Sequence, residues 1–389
     1  MPDAHLPLAG LTVVEISTSV AGPFAGQVLA DLGARVIKVE NPGGGDDARH
    51  WGPPFDATGT SPVFASFNRN KRSVAVDLKD ADELARLRRF ILRHADVVLQ
   101  NMRPGLLKRF GLDGESLRAE APGLICADIL AFGAVGPKRM QPGYDPLMQA
   151  ASGIMSVTGL EGQEPVRVGP SLVDQGSGMW AVIGILAALR TREATGLGAQ
   201  IDTSLYETGL GWLPAQIATY ALTGRAPRKI GSENSGIAPY KAFEAADGWL
   251  VIAAGNDKLF TRLAEVLGRP DLPQIPEFSS NPKRVENRVA LNALISDILP
   301  SATRDDWLER LATAGVPSAP VLSLEEVTRD PQFEAVEMMQ SDPEETVRLA
   351  GIPLRFDGTR PPLRHPAPAL GEANDILTEL EETEEETKA

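Results

Sequence analysis

Residues 11–40 read LTVVEISTSVAGPFAGQVLADLGARVIKVE, and this stretch decides the fold. The apolar run at 11–17 predicts a buried strand, a Gly-Pro turn follows it, and the pattern over 24–32 predicts a helix. A second apolar run at 34–40 predicts the next strand. Because a strand, a helix and a second strand of this kind form a parallel βαβ unit, the stretch predicts an α/β fold.

The alternation of strands and helices continues through the first half of the chain. Further strands are expected at 73–79, 96–101 and 123–132, with a helix at 81–93. We therefore expect a large domain with a Rossmann-like parallel sheet over residues 1–200. Ligands of such sheets bind beyond the carboxyl ends of the strands. The loops at these ends are the expected site: 17–23, 40–51 and 100–109.

The second half of the chain has a different pattern of strand and helix signals. Residues 239–257 predict two strands joined by a turn, and together with the helical patterns that follow they predict a smaller α+β domain over 225–325. The segment 326–389 is expected to return to the large domain. Its last residues, ELEETEEETKA, predict a solvated helical or disordered end. The helices of the smaller domain are expected near 257–267, 288–299 and 304–314.

The composition argues against several classes of function. The chain has 389 residues and a formal net charge of −14, which argues against a nucleic-acid-binding protein. Its one cysteine, Cys126, lies in an apolar run and predicts a buried thiol in a reducing compartment. The longest strongly apolar run, 179–189, is shorter than the roughly 20 residues that span a bilayer. We expect a cytoplasmic protein with no membrane partner and, since its histidines are scattered, no metal site.

A second informative stretch surrounds Asp174, which stands before two glycines and a helical pattern at 179–189. Aspartate is among the preferred N-cap residues, so capping alone explains its position. A carboxylate at a helix N-terminus is also expected to stay ionised and to be able to act as a nucleophile. Both interpretations remain open from this stretch. If it is catalytic, Gly176 and Gly178, together with the glycines of GSENSG at 231–236, are expected to offer N–H groups to a developing oxyanion.

Basic residues gather at two expected strand ends of this acidic chain. They are candidates for binding a ligand with several phosphates, and solvated surface charge is the alternative. The loop NPGGGD at 41–46 lacks the P-loop pattern and is equally consistent with a plain flexible loop. The first turn also lacks a dinucleotide fingerprint. The basic residues are Arg69, Lys71, Arg72 and Lys79 around one strand, and Arg103, Lys108 and Arg109 after another.

Ordered matches along nearly the whole chain resemble one family, the class III coenzyme A transferases. This family includes formyl-CoA transferase, carnitine CoA transferase and α-methylacyl-CoA racemase. The matching stretches are AGPFAGQVLADLGARVIKVENPGGGD, NRNKRSVAVDLK, ADVVLQNMRPGLLKRFGL, GYDPLMQAASGIM, VRVGPSLVDQGSGMWAVIGILAALRTREATGLGAQIDTSL, IAPYKAFEAADGWLVIAAGND and GVPSAPVLSLEEVTRDPQF.

The resemblance implies residue roles and an assembly. Asp174 matches the nucleophile of the transferases, and an interlocked homodimer is implied. Pro142 and Asn41 replace basic residues of formyl-CoA transferase. The phosphate contacts of CoA are therefore expected to be shared differently, with Arg139 or Lys71 contributing, and Arg103 is a further candidate for binding CoA. The other implied residues are Val20, Ala21, Lys79, Asn101, Met102 and Arg109 for CoA; Trp51, Tyr144 and Asp145 for the acyl pocket; and Gly231 and Gly236, in GSENSG, as a lid whose role is open.

The resemblance implies a CoA-transferase with no permanently bound cofactor, for which the CoA thioester is a substrate. We expect transfer from succinyl-CoA to a short dicarboxylic acid, with Arg167 and Lys241 as possible partners of its distal carboxylate. Ordinary salt bridges are the alternative for both. A racemase is disfavoured because GYD at 143–145 lacks the histidine of that branch. A non-catalytic CoA-binding relative is the remaining alternative.

Overall fold

The computed structural model describes residues 6–56 and 59–378, which form two compact units. The described part of the first unit comprises 6–154, 167–221 and 336–378, apart from the gap at 57–58. The second unit comprises 155–166 and 222–335, so it extends beyond the expected range of 225–325. The acidic tail lies outside the described residues.

The first unit is built on a six-stranded sheet in the order β3-β2-β1-β4-β5-β6, and all neighbouring strands are parallel. The predicted α/β class is therefore confirmed. Two details of the prediction were wrong. The third strand is shifted toward the N-terminus, and the sixth was missed because polar residues interrupt its sequence. The strands are β1 (Thr12–Ile16), β2 (Arg35–Glu40), β3 (Lys71–Ala75), β4 (Val97–Gln100), β5 (Ile125–Leu130) and β6 (Gln200–Ser204).

Helices connect these strands and cover the sheet. One face of the sheet packs against apolar side chains of the amphipathic third helix, including Leu87, Phe90 and Ile91. Cys126 belongs to the same core, and burial with the nearby Asp128 charge raises the pKa of its thiol to about 12. The helices up to residue 223 are α1 (Ala21–Asp31), α2 (Pro62–Asn68), α3 (Ala81–His94), α4 (Gly114–Glu120), α5 (Asp145–Ala151), α6 (Ile154–Val157), α7 (Leu172–Thr195), α8 (Leu205–Gly211) and α9 (Pro214–Thr223).

Helix α7 begins earlier and ends later than the apolar run at 179–189 indicated. Its 24 residues include an 18-residue window with a mean hydropathy of 1.5, enough by length and composition to cross a membrane. The helix packs against α1, β5 and β6, as a core helix of a folded domain does. Its length and composition alone are therefore weak evidence that it crosses a membrane. Gly178 permits the close approach to α1, since a methyl group there would lie 2.7 Å from the carbonyl oxygen of Ala21.

The second unit contains a three-stranded antiparallel sheet and a helical layer. The hairpin expected at 239–257 is present, and a third strand, which was not predicted, pairs with its second strand. Phe260 and Trp307 lie in the core of this unit. Its elements are β7 (Tyr240–Glu244), β8 (Trp249–Ala253), α10 (Asp257–Val266), α11 (Asn281–Glu286), α12 (Arg288–Ile298), α13 (Arg304–Thr313), β9 (Ser318–Pro320), α14 (Leu324–Arg329) and α15 (Pro331–Ala335).

The chain after the second unit belongs to the first. A hairpin of β10 (Met339–Ser341) and β11 (Arg348–Ala350) comes first. The following segment lies along the edge of the sheet, where the N–H of Ala373 donates to the carbonyl of Ser73 over 3.0 Å. The Asn374 side chain in turn accepts from the N–H of Ala75 over 2.7 Å. These bonds cover the open edge that β3 would otherwise present to solvent.

Candidate active site

A cavity of about 580 Å³ lies in the first unit, beside the carboxyl ends of β1 and β4. The chain leaves these two adjacent strands toward opposite sides of the sheet, and a crevice forms where the strand order reverses. The cavity lies beyond the carboxyl ends of the strands, where the sequence predicted a site. Its walls include several of the predicted site residues: Val20, Ala21, Trp51, Asn101, Met102, Arg103, Tyr144, Asp145 and Asp174.

Asp174 lies inside the first turn of α7 and is not its N-cap. The helix begins at Leu172, Ser171 precedes it, and the Ser171 side chain makes no capping hydrogen bond. The capping interpretation of Asp174 was therefore wrong. The N–H groups of the first four residues of α7 nevertheless all have acceptors. Leu172 donates to Pro170 O over 2.8 Å, and Val173 and Asp174 donate to Asp145 Oδ2 over 2.8 and 3.3 Å. Gln175 makes the first bond within the helix, to Ser171 O over 3.0 Å.

This distribution of acceptors corrects the expected role of Gly176 and Gly178. Both residues lie beyond the first four, so their N–H groups bond to carbonyls within the helix. Neither N–H group is free to bind an oxyanion. The glycines are required for packing instead, because a methyl group at Gly176 would lie 2.8 Å from the Thr208 side chain and 3.0 Å from Trp212.

The turn before α1 offers free N–H groups, whereas those of the first turn of α7 are already occupied. Val20 and Ala21 line the cavity, and within the described parts of the chain their N–H groups have no hydrogen-bond partner. The residues before them are held firmly. The Asn101 side chain accepts from Thr18 N–H over 2.9 Å and donates to Thr18 O over 2.8 Å. Ser19, at φ +70°, donates its N–H to Asp46 Oδ1 over 2.9 Å.

The Asp174 carboxyl lies in an environment that disfavours its charge. Burial, and then the negative charge of Asp145, raise the pKa of Asp174 to about 7. The Asp174 carboxyl is therefore harder to ionise than its place near a helix N-terminus led us to expect, because position in the first turn of a helix does not compensate for burial beside a like charge.

Lys71 does not line the cavity, which corrects its assignment to CoA binding. It belongs to a group of fully buried charges that we call the buried lysine cluster: Glu15, Lys38, Asp46 and Lys71. The Lys71 ammonium lies 2.7 Å from Glu15 and donates to the carbonyl of Pro23 over 2.8 Å. With no exposed surface on the Lys71 side chain, the ammonium is occupied by the protein itself.

The buried lysine cluster explains the loop at 41–46, which is not a plain flexible loop. Asp46 ends this loop with 1% of its surface exposed and pairs with Lys38 over 2.9 Å. Lys38 also donates to the carbonyl of Ser17 over 2.9 Å. The lysine and aspartate thus join the loop after β2 to the turn after β1. The sequence signal was Asp46 itself, a carboxylate directly after three glycines and near a lysine in an apolar strand.

Five of the remaining basic candidates fall into three groups. Arg69 pairs with Asp31 over 2.7 Å and is buried, whereas Lys79 and Arg109 are exposed and lie outside the cavity lining. Arg103 lines both this cavity and an adjacent one of about 300 Å³, whose wall includes Arg139. These two arginines therefore lie close to the main cavity.

Gly231 and Gly236 belong to the second unit, and the loop between them is well anchored there. Arg288 donates to the carbonyls of Asn234 and Ser235 over 3.0 and 2.8 Å. Its guanidinium also pairs with Glu233 over 3.2 Å. The lid role of this loop stays a prediction.

The two possible partners of a distal carboxylate already have acceptors. Lys241 lies 3.7 Å from Glu233 in the second unit. In the first unit, the exposed Arg167 donates to the carbonyls of Val168 and Gly169. These contacts agree with ordinary structural roles for both side chains.

Comparison with known proteins gives consistent matches over nearly the full chain. A model of CoA-transferase family III matches residues 8–374. A succinate–glutarate CoA-transferase from Agrobacterium fabrum is 38% identical over 99% of this chain and 98% of its own length. An acetyl-CoA:oxalate CoA-transferase from Acetobacter aceti is 39% identical over 95% of both chains. The crystal structure of a CaiB/BaiF family protein from Brucella suis superposes with a TM-score of 0.87 at 40% identity, over 96% of this chain and 99% of that one.

Proposed function

The chain belongs to CoA-transferase family III, and we propose that it moves CoA from succinyl-CoA to a short dicarboxylic acid through a covalent intermediate on Asp174. The observation that carries this proposal is the Asp174 carboxyl in the wall of a cavity at the switch point of a parallel sheet. The names of two relatives support the acceptor class, since glutarate and oxalate are both dicarboxylic acids.

The proposed reaction begins with attack on the donor. The Asp174 carboxylate attacks the thioester carbonyl, the carbon–sulfur bond breaks, and CoA leaves as a thiolate with an acyl-aspartyl anhydride remaining. The thiolate then attacks the aspartyl carbonyl, which releases the donor acid and leaves CoA joined to Asp174 as a thioester. A carboxylate suits these steps because it is both a nucleophile and a leaving group, with no proton to transfer.

The second half of the reaction repeats these steps with the acceptor. The acceptor carboxylate attacks the aspartyl thioester, so that CoA thiolate leaves and a new anhydride forms. The thiolate then attacks the acceptor carbonyl, which forms the new thioester and regenerates the Asp174 carboxylate. In this scheme the free N–H groups of Val20 and Ala21 stabilise the oxyanion in place of the glycines of α7. Trp51 and Tyr144 shape the acyl pocket.

CoA is proposed to lie along the loops after β1 and β4. Asn101 and Met102 line the cavity, and Arg103 supplies a guanidinium for phosphate there. Arg139, in the wall of the adjacent cavity, is proposed to share that charge, while Lys79 and Arg109 contact CoA from outside the cavity.

We further propose that the active form is a homodimer in the cytoplasm. The support is an uncovered apolar surface: Met179, Trp180 and Ile183 on α7 are each about half exposed, at 49%, 50% and 52%. No residue of α9 is buried, although the helix is mostly apolar. Exposed apolar area of this kind marks an interface, and a second copy is the occupant that the resemblance implies. Sedimentation of the purified protein at twice the 41.5 kDa chain mass tests this, and a monomer would contradict it.

The test of the proposed reaction uses purified enzyme, succinyl-CoA and a panel of acids. Glutarate, oxalate, acetate and succinate analogues are supplied separately, and new thioesters are followed by mass. We expect dicarboxylic acids to be accepted at least tenfold faster than acetate. Equal rates with acetate would contradict the acceptor class. Deuterium incorporation at the α-carbon of a 2-methylacyl-CoA without any exchange of CoA would support the racemase instead.

The role of Asp174 is tested with a matched pair of variants. Asp174→Ala is expected to lower transfer at least 10³-fold, since the covalent route needs this carboxylate. Asp47→Asn removes a different carboxylate from the same cavity wall and is expected to cost less than tenfold. Hydroxylamine is expected to label the Asp174 peptide only during turnover. Full transfer by Asp174→Ala would remove Asp174 from the mechanism.

A further inference from the structure

Asp145 contacts the nucleophile-bearing helix from outside that helix. It is the first residue of α5, 29 positions before Asp174, and is 3% exposed. Its Oδ2 atom accepts the N–H of Val173 over 2.8 Å and that of Asp174 over 3.3 Å. These are two of the four N–H groups that α7 cannot satisfy by itself. The cap that a local aspartate normally supplies therefore comes from another helix.

The Asp145 carboxylate is itself held in place from within α5. Gln149, one turn later and fully buried, donates its Nε2 to Asp145 Oδ1 over 2.6 Å. The Gln149 Oε1 accepts the N–H of Val168 over 2.8 Å, in the segment that leads into α7. One buried amide thus connects the capping carboxylate to the chain before the capped helix. The position of Asp174 is determined by α5 as well as by its own backbone.

No basic residue offsets the charge of Asp145 on the elements that pack most extensively against α7. Those elements are α1, α5, α8, β5 and β6, and none of them contains a lysine or an arginine. Their other titratable groups are Asp31, which pairs with Arg69, together with Cys126, Asp128, Asp202, Tyr206 and Glu207. Asp145 is the charge that acts directly on Asp174.

We propose that Asp145 is a positioning residue that caps α7 in place of Asp174, so that the Asp174 carboxylate remains available to the cavity and bears an uncompensated neighbouring charge. This inference rests on the proposed function of Asp174. It gives the residue a different role from the acyl-pocket contact that the resemblance implies. A carboxylate with a higher proton affinity is a stronger nucleophile, so the neighbouring charge favours attack on the thioester once Asp174 is ionised.

Two substitutions at position 145 separate the cap from the charge. Asp145→Asn keeps an oxygen that can accept the two N–H groups of α7 but removes the negative charge. Asp145→Ala removes both. Glu207→Gln is the matched control, because it neutralises a carboxylate on α8, which also packs against α7 but does not line the cavity. The measurements are the pH dependence of kcat/KM and a ¹³C NMR titration of Asp-labelled protein, with Asp174→Asn for assignment.

The proposal predicts a specific pattern across these variants. In Asp145→Asn the midpoint of Asp174 ionisation falls by at least one pH unit from about 7, whereas Glu207→Gln leaves it unchanged. Asp145→Ala shows the same shift and loses at least a further tenfold in kcat, because the first turn of α7 has lost its acceptors. An unchanged midpoint in Asp145→Asn would overturn the charge role. Equal kcat values for Asp145→Ala and Asp145→Asn would overturn the capping role of Asp145.

A further variant keeps the proposal testable if the Asp145 variants do not fold. Gln149→Leu leaves the Asp145 charge in place but removes its anchor, so we expect kcat to fall at least fivefold with a midpoint no lower than that of the native protein. A lower midpoint or an unchanged kcat would overturn the proposal. The NMR titration needs no turnover. A shifted midpoint in a protein that transfers no CoA would therefore contradict the proposed function and leave the role of Asp145 standing.

Discussion

Two groups of buried carboxylates lie in the same sheet unit and behave in opposite ways. In the buried lysine cluster, burial by itself raises the pKa of Glu15, but the ammonium groups of Lys71 and Lys38 outweigh it and hold that pKa below its ordinary value. For Asp174, burial and the charge of Asp145 act in the same direction and raise the pKa to about 7. The difference lies in the counter-ions, since burial is common to both groups.

The contrast separates a structural use of buried charge from the chemical use that we propose for Asp174. The buried lysine cluster has two carboxylates and two ammonium groups, and it joins the turn after β1 to the loop after β2. Burial lowers the pKa of Lys71 to about 8, and the charge of Glu15 offsets only part of this effect. The Asp145 and Asp174 carboxyls have no such partner on the packed elements. A group that must react benefits from remaining uncompensated, whereas a group that holds loops together does not.

The largest expected effect comes from removing one cation of the buried lysine cluster. Lys38→Met leaves Glu15 and Asp46 short of an ammonium partner in a site without water contact. We expect a loss of about 3–5 kcal/mol in the free energy of unfolding, measured by urea denaturation. Arg72→Ala is the control, because the pair between Arg72 and Glu372 is partly exposed at 3.7 Å and is expected to contribute less than about 1 kcal/mol. Similar losses in the free energy of unfolding for both variants would show that the buried ion pairs are no more important for stability than the exposed one.

A pH-dependent effect of intermediate size is expected at Asp174. Because its folded-state pKa of about 7 lies above the unfolded value, protonated Asp174 favours folding, and this contribution is lost as the pH rises from about 4 to 7. Asp174→Asn does not titrate. Its stability relative to the native protein should therefore rise over that window by up to about 4 kcal/mol, since each tenfold difference in proton affinity corresponds to about 1.4 kcal/mol.

The measurement for Asp174→Asn is urea denaturation of both proteins at pH 4 and pH 8. Glu15 and the other carboxylates with lowered pKa values have the opposite sign, because their contribution is lost as the pH falls. They are present in both proteins and cancel in the difference. A difference in stability that does not change between the two pH values would show that Asp174 is compensated like Glu15.

The smallest of the three effects is expected at Gly26 on α1. A methyl group there would lie 1.9 Å from Glu15 Oε2 and 3.2 Å from the Lys71 ammonium, so the ion pair must shift. We expect Gly26→Ala to lower the free energy of unfolding by about 1–3 kcal/mol. Gly211→Ala is the control, since a methyl group in that helix meets nothing within 4 Å. Calorimetry on both variants measures the difference, and an unaffected Gly26→Ala would mean that the cluster tolerates rearrangement.

Much of the architecture could be predicted from local patterns. The strands at 11–17 and 34–40, the helix between them and the later hairpin all follow from short-range periodicity, which the sequence contains directly. Strand β6 was missed because its sequence, QIDTS, lacks an apolar run. Its membership of the sheet comes from pairing with β5, whose sequence lies some 75 residues away.

The sequence by itself determined the α/β class, the strand ends that border the site and the membership of the family, because these depend on residue order and local pattern. Only the tertiary structure decided that Asp145 caps α7 and that Lys71 is buried away from the cavity. Asp174 and Lys71 looked like a cap and a phosphate ligand because their neighbours in sequence allow those roles. Their actual surroundings are determined by Asp145 and Glu15, which lie 29 and 56 residues away along the chain and become neighbours only on folding. Burial and partner charge depend on that proximity in space, and no local pattern reports it.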